Sequence, residues 1–392
     1  MLVTRIIGTC PLCGREKAYG NVDVIGDSLL RGCRYCDYST QLPLPPLKKS
    51  ILYLDQFFLS EAFKDREPRF QEAAARISKA ASNQLLAVPY SSVHEDESLL
   101  WSRGDELGEF IKTTSRGAKF KAEYDVERRQ IWRAFGDWKN GRPASRSTDA
   151  SDALERDIHK WDGYFFIDVA RYPRDADAMR EAKARSVKAL VAIFDSWRIS
   201  SASFDEDVAA EHLETARSYV RLYLDYFNRV GSGDLDALFN SSIQSEIVNS
   251  LMRSQPSDEP FEVRLKKCGT FLQSDNFRES PRQRLRSRIF ATLKTMVRNG
   301  AFPNNEKAEL KLSGFFEDVQ HVATYAPYCD AIVVDAAMAE LVTRTSVGLP
   351  ADYGVKVFSM RKLPELFDWL DSLQTKMTAD QQDALRHIHL TR

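Results

Sequence analysis

Ile51-Leu52-Tyr53-Leu54-Asp55 and Ala331-Ile332-Val333-Val334-Asp335 decide how this chain is read. Each is a short apolar run that stops on a carboxylate. A strand of a buried parallel sheet is covered on both faces, so it reads as a continuous apolar run and not as an alternation. The carboxyl edge of such a sheet is where open α/β folds hold their ligands. Working outward, Leu85-Leu86-Ala87-Val88-Pro89 and Lys356-Val357-Phe358-Ser359 supply two further short strands. Phe57, Phe58, Phe63, Phe70, Ile77 and Ala81 recur at helical intervals after the first run, and helices are expected over Ala336–Thr343 and Leu363–Leu373. Strands alternating with helices predict an α/β fold, a parallel sheet flanked by helices. Between about 100 and 312 that rhythm gives way to almost unbroken helix, with loops at 139–152 and 254–260, which reads as a large all-helical insertion.

With 392 residues the chain exceeds one typical core and predicts two or three domains. The formal net charge of −1 gives no global sign of nucleic-acid binding, so any such sign must come from local patches. No apolar run approaches the ~18–20 residues of a membrane span, and no signal core precedes Cys10. A cytoplasmic protein with no membrane partner is expected.

Four of the six cysteines form two CxxC pairs, Cys10-Pro11-Leu12-Cys13 and Cys33-Arg34-Tyr35-Cys36. Four thiolates on two tight turns suit tetrahedral zinc, and in a reducing compartment the pattern points to metal before disulfides. Val22–Ile25 partly alternates and Gly26-Asp27 is a turn signal, so a hairpin is expected between the pairs. The segment 1–40 resembles a zinc ribbon. A closed four-cysteine site leaves no open position for chemistry, so its zinc is expected to be structural. Cys268 and Cys329 read as buried small apolar residues. Residues 41–49, rich in proline, read as a stiff linker.

The acids come next. Besides Asp55 and Asp335 there are two helical groups, Ser91-Ser92-Val93-His94-Glu95-Asp96-Glu97 and Phe315-Phe316-Glu317-Asp318-Val319-Gln320-His321. His94 and Glu97 are one turn apart, as are Asp318 and His321, so each helix presents a carboxylate beside an imidazole. If these helices flank the strand ends, Asp55, Glu97, Asp318 and Asp335 converge. Two carboxylates at ~4 Å repel by ~4 kcal/mol at an effective dielectric near ~20, so four of them call for cations. Oxygen ligands suit Mg²⁺ or Mn²⁺.

These blocks, with Tyr325-Ala326-Pro327-Tyr328-Cys329-Asp330 running into the third strand, resemble a PIN-like nuclease domain. The resemblance implies a body in two halves, 50–100 and 285–392, interrupted by the insertion at 101–284. It implies an acidic quartet of Asp55, Glu97, Asp318 and Asp335 that binds catalytic Mg²⁺ or Mn²⁺ and hydrolyses phosphodiester bonds, in RNA before DNA. Ser91, His94, His321 and Asp330 are accessory candidates, with capping of the strand as the alternative for Asp330, and a toxin-like, defence or RNA-processing setting with a protein partner or inhibitor would fit.

Each assignment has a plainer counterpart. Asp55 and Asp335 would serve as helix N-caps, Glu97 and Asp318 as solvated acids, and the two histidines as buried hydrogen-bonded struts. Arg282, Arg284, Arg286 and Arg288 line one helix and are candidates for phosphate contacts; a solvated face is the alternative. A second basic run, Lys112 to Arg133, includes Phe120 and Trp132, aromatic residues able to stack on unpaired bases, but a solvated face that serves solubility is the favoured reading there. Two other functions compete: a catalytically inactive PIN-like scaffold or nucleic-acid-binding protein, and a di-metal oxidase in the helical middle. The oxidase needs Glu-x-x-His pairs on bundle helices, which the two pairs here do not supply.

Overall fold

The structure is a computed structural model and describes residues 1–163, 176–238 and 240–389. The helical expectation for 164–175 falls outside the described residues. Two sheets organise the chain. The first is antiparallel, in the order β1 (Arg5–Gly8), β2 (Tyr19–Ile25), β3 (Ser28–Cys33), β4 (Ser39–Pro43). The expected hairpin is β2–β3, turned at Gly26, whose φ of 60° lies in the region glycine tolerates best. The expected linker is shorter than it reads. Residues 39–42 carry no proline and pair with β3, and Pro43 closes an edge strand, where a missing N–H breaks no ladder. The following segment is docked, with Leu44 buried and the Trp161 indole donating to the Pro45 carbonyl at 2.7 Å.

The second sheet is parallel throughout, in the order β6 (Leu86–Ala87), β5 (Ser50–Leu54), β7 (Ala331–Val333), β8 (Lys356–Phe358). Its side chains sort by alternation into two cores. Ile51, Tyr53, Ile332 and Val357 enter one; Leu52, Leu54, Ala331, Val333 and Phe358 enter the other. Both faces are thus covered, which is why the strands read as unbroken apolar runs.

The helices that matter for the site are α1 (Gln56–Lys64), α2 (Ser92–Leu99), α3 (Glu123–Lys139), α4 (Ala176–Ala192), α5 (Phe204–Gly231), α6 (Pro281–Arg298), α7 (Phe315–Tyr325), α8 (Ala336–Val342), α9 (Leu363–Thr375) and α10 (Ala379–His389). The insertion has a core of its own, with Phe135, Tyr219, Val248, Leu251, Phe271 and Phe277 at its centre. The core of the parallel sheet reaches past residue 100, taking in Leu107 and Ile111 on one face and Phe120, Val187 and Leu190 on the other. Among the described residues no helix is long and apolar enough to cross a membrane.

The basic runs differ from expectation. Arg282 and Arg284 are only 7% and 8% exposed. Arg282 donates to Glu127 at 2.5 Å and to Gln320 at 2.6 Å. Arg284 joins Asp352 at 2.8 Å and Glu279 at 2.9 Å. Arg288 donates to the Ser346 carbonyl at 2.6 Å and lies over the Phe204 ring. The insertion and the C-terminal part cover this face of α6 with acids, so its charges tie helices together and Arg282 and Arg284 are not available to phosphate. Phe120 is fully buried, stacked on Tyr325, and cannot meet a base.

Candidate metal centres

The four cysteines sit in the turns after β1 and β3. Their sulfurs all lie within 4.8 Å of one another. Cys10 and Cys36 are 3.7 Å apart, and Cys13 and Cys33 are 3.8 Å apart. Ligands ~2.3 Å from a tetrahedral ion lie ~3.8 Å from each other, so the geometry fits a structural metal. Gly14, at φ 68°, and the Tyr35 N–H donating to Cys33 Sγ at 3.3 Å complete the two turns.

The acids lie at the carboxyl edge of the parallel sheet. Asp55 follows β5 and caps α1, accepting from the Gln56 N–H at 2.8 Å through Oδ1. Asp335 follows β7 and caps α8, accepting from the Ala337 and Met338 N–H groups at 2.6 and 2.8 Å, again through Oδ1. The capping reading is therefore correct for both. It leaves Oδ2 of each without a hydrogen bond among the described residues. Glu97 projects from α2 and Asp318 from the first turn of α7.

These four feel one another. Burial, then Glu97 and Asp335, push the Asp55 carboxyl up to about 7. Burial, then Asp55, Glu97, Asp335 and Glu317, hold Asp318 well above the usual carboxylate range. Asp318 and Asp335 also line a cavity of about 340 Å³ with largely apolar walls, among them Leu293, Phe315 and Met338. The convergence is looser than at the cysteines. Among the described residues the cysteine set is the only group of three or more potential ligands whose atoms all fall within 4.8 Å.

Lys183 is the residue that sequence reasoning missed. Its ammonium, on α4, donates to Glu97 at 2.7 Å and stands 3.9 Å from Glu317. Burial alone would lower its pKa, but Glu97, Glu317 and Asp318 outweigh burial and raise it. The Glu317-Asp318 doublet was the one local hint that the site holds a fifth carboxylate.

Beneath the acids lie the imidazoles. His94 accepts from the Ser91 N–H at 2.9 Å through Nδ1, so its Nε2 must be the protonated nitrogen, and it faces the Leu54 carbonyl at 2.9 Å. Burial lowers its pKa to about 4. Ser91 and His94 are thus struts that fix the backbone just before Asp55. His321 meets the Tyr53 hydroxyl at 3.2 Å through Nδ1. Its Nε2 is 3.7 Å from Glu123, whose carboxyl is pushed up to about 7 by burial. Asp330 lies elsewhere. It stands at the opposite end of β7 from Asp335 and accepts from the Ile51 N–H at 2.7 Å, so it clamps strand register and is no accessory acid.

No protein-family model, curated protein or solved structure matches this chain. Fold and sites define a class only: a mixed α/β protein with a small parallel sheet, a large helical insertion and a four-cysteine cluster fit for a structural metal.

Proposed function

We propose that this protein is a PIN-like, divalent-metal-dependent nuclease that hydrolyses phosphodiester bonds, in RNA before DNA. The carrying observation is the gathering of buried carboxylates at the sheet's carboxyl edge, where burial first, and then repulsion from Glu97 and Asp335, hold Asp55 up to about 7. Such a group of anions is completed by a cation. Lys183 neutralises Glu97, which leaves Asp55, Asp318 and Asp335 for one Mg²⁺ or Mn²⁺ ion. Magnesium keeps several waters and needs only one or two direct carboxylates, so the loose spacing suits it. When bound, the ion supplies positive charge where a phosphate's oxygens gain negative charge. Asp335 and Asp55 would hold it through the oxygens their helix caps leave over. Asp318, with its raised pKa, is the group suited to take a proton from an attacking water. His94 does not serve as base, because both ring nitrogens are engaged. The four cysteines would hold Zn²⁺ as a structural ion. The CxxC spacing, which points to metal before disulfides, accords with a reducing, cytoplasmic setting.

A second reading draws on the Lys183–Glu97 ion pair. An internal ammonium that replaces a metal would make this a nucleic-acid-binding scaffold without activity. Labelled single-stranded RNA and DNA, incubated with Mg²⁺ or Mn²⁺, separate the two. Wild type is expected to cleave, and Asp55→Asn and Asp335→Asn to cut at least about 100-fold more slowly. Cleavage unaffected by both substitutions removes the catalytic assignment. No cleavage, together with no Mn²⁺ uptake in calorimetry, selects the scaffold.

A further inference from the structure

A second cavity, of about 300 Å³, opens between α5, α6 and α7, behind the helix face that carries Asp318. Its walls hold three carboxylates, yet two are already neutralised. Glu127 accepts from Arg282 at 2.5 Å, from Gln283 at 3.2 Å and from the Tyr219 hydroxyl. Glu211 is joined to Lys294 at 2.6 Å. Glu214 is exposed.

Two arginines of α6, Arg286 and Arg288, hold no carboxylate among the described residues; Arg288 donates to the Ser346 carbonyl at 2.6 Å, whereas Arg286 lines this cavity. Arg282, Arg284 and Arg298 each hold a carboxylate. Arg286 has no carboxylate within 4.0 Å among the described residues. Its bonds are one to Thr215 Oγ1 at 3.0 Å and a stacking contact with the Phe290 ring at 5.4 Å. The Ser218 hydroxyl and the Gln244 amide line the same cavity and make no hydrogen bond among the described residues. Burial, then the neighbouring Arg282, disfavour the charged form of Arg286, and Glu211 and Glu127, beyond ion-pair distance and engaged by other cations, only partly offset them. A guanidinium so placed, with no carboxylate in direct contact, gains from an anion that reaches it.

We infer that this cavity is a binding site for a small phosphomonoester, with the Arg286 fork on two phosphate oxygens and Ser218 and Gln244 as neutral donors beside it. Arginine matches phosphate through parallel N–H donors. The volume is at the lower end of the ~300–1,000 Å³ of ligand sites, which admits a phosphate and a group of sugar size but no polymer strand. The inference does not rest on the carboxylate site.

The test is calorimetry and thermal unfolding of the whole chain with inorganic phosphate and with ribose 5-phosphate, against chloride at equal ionic strength. Both phosphates are expected to raise the Tm of wild type above the chloride control, the sugar phosphate at lower concentration. Arg286→Gln is expected to bind about tenfold or more weakly, and to be at least as stable as wild type in phosphate-free buffer. Ser218→Ala, which keeps the charge and removes one donor, is expected to bind about two- to fivefold more weakly. Asp55→Asn is expected to keep the full phosphate response, which separates this site from the acids. No stabilisation beyond chloride, or unchanged affinity in Ser218→Ala and Arg286→Gln, overturns the inference. If Arg286→Gln fails to fold, unchanged affinity in Ser218→Ala overturns it alone.

Discussion

Asp55 serves two purposes with one carboxylate. Oδ1 caps α1, and the carboxyl as a whole is repelled by Glu97 and Asp335. Its folded-state pKa, about 7, lies above the ordinary value of 3.8. The folded chain therefore keeps a proton that the unfolded chain releases. This contribution to stability is complete below the ordinary value and is lost as pH rises through about 7. Metal-free protein is expected to melt at steadily lower temperature between about pH 5 and 8, with Mn²⁺ restoring most of the loss at the upper end. Asp55→Asn is expected to make the profile shallower, with Glu123 and Asp318 leaving a remainder of the same sign, and to abolish the Mn²⁺ response; thermal unfolding across that range, with and without metal, checks both. At this scale the sequence was readable where chemistry is local. A hydrophobic run ending in Asp is visible, and so is a CxxC pair. Lys183 was not, because it meets Glu97 across 86 positions with no pattern linking them. The arginines of α6 were misread for the same reason, since Glu127 reaches Arg282 across 155 positions.

Elements were easier to see than their limits. All four parallel strands and the β2–β3 hairpin follow from apolar runs and a glycine turn, because those patterns record which faces are covered. The reach of the sheet's core past residue 100 left no such record, since Leu107 and Phe120 look like any helical or loop apolar residue. Strand register, too, depends on a side chain. Asp330 holds the start of β5 by its bond to the Ile51 N–H, beside the backbone bond from its own N–H to the Ile51 carbonyl at 2.9 Å. Asp330→Ala is expected to cost about 0.5–1.5 kcal/mol in denaturant unfolding. Mn²⁺ affinity should stay within about twofold of wild type, which calorimetry measures; a large loss would return Asp330 to the site.

Across the whole molecule, the cysteine module is seated on α10. Arg5 donates to the Ile388 carbonyl at 2.8 Å and Asn21 to the His387 carbonyl at 2.9 Å. Val24, Leu29, Leu44, Trp161, Ala384 and Ile388 form the apolar seam between them. About forty residues bury too little to fold without a metal or a neighbour; here the four cysteines are placed to hold the one, and α10 supplies the other. Zinc removal by a chelator is expected to open 1–44 to protease while the Mn²⁺ response of the α/β body persists. Ile388→Asp is expected to speed zinc loss several-fold without changing the number of zinc ions bound, as read by a colorimetric chelator.

β5 lies between β6 and β7, and its bond to Asp330 spans 279 positions. At ~5–20 residues per second, a ribosome needs roughly 15–55 s to make that distance. During that interval Ile51–Leu54 is an uncovered apolar edge of the kind that holdase chaperones grip, and Asp55 waits far from Asp318 and Asp335. On the proposed function, a chain assembled this way would be inert while nascent, and the messenger being translated would be spared by the order of synthesis alone.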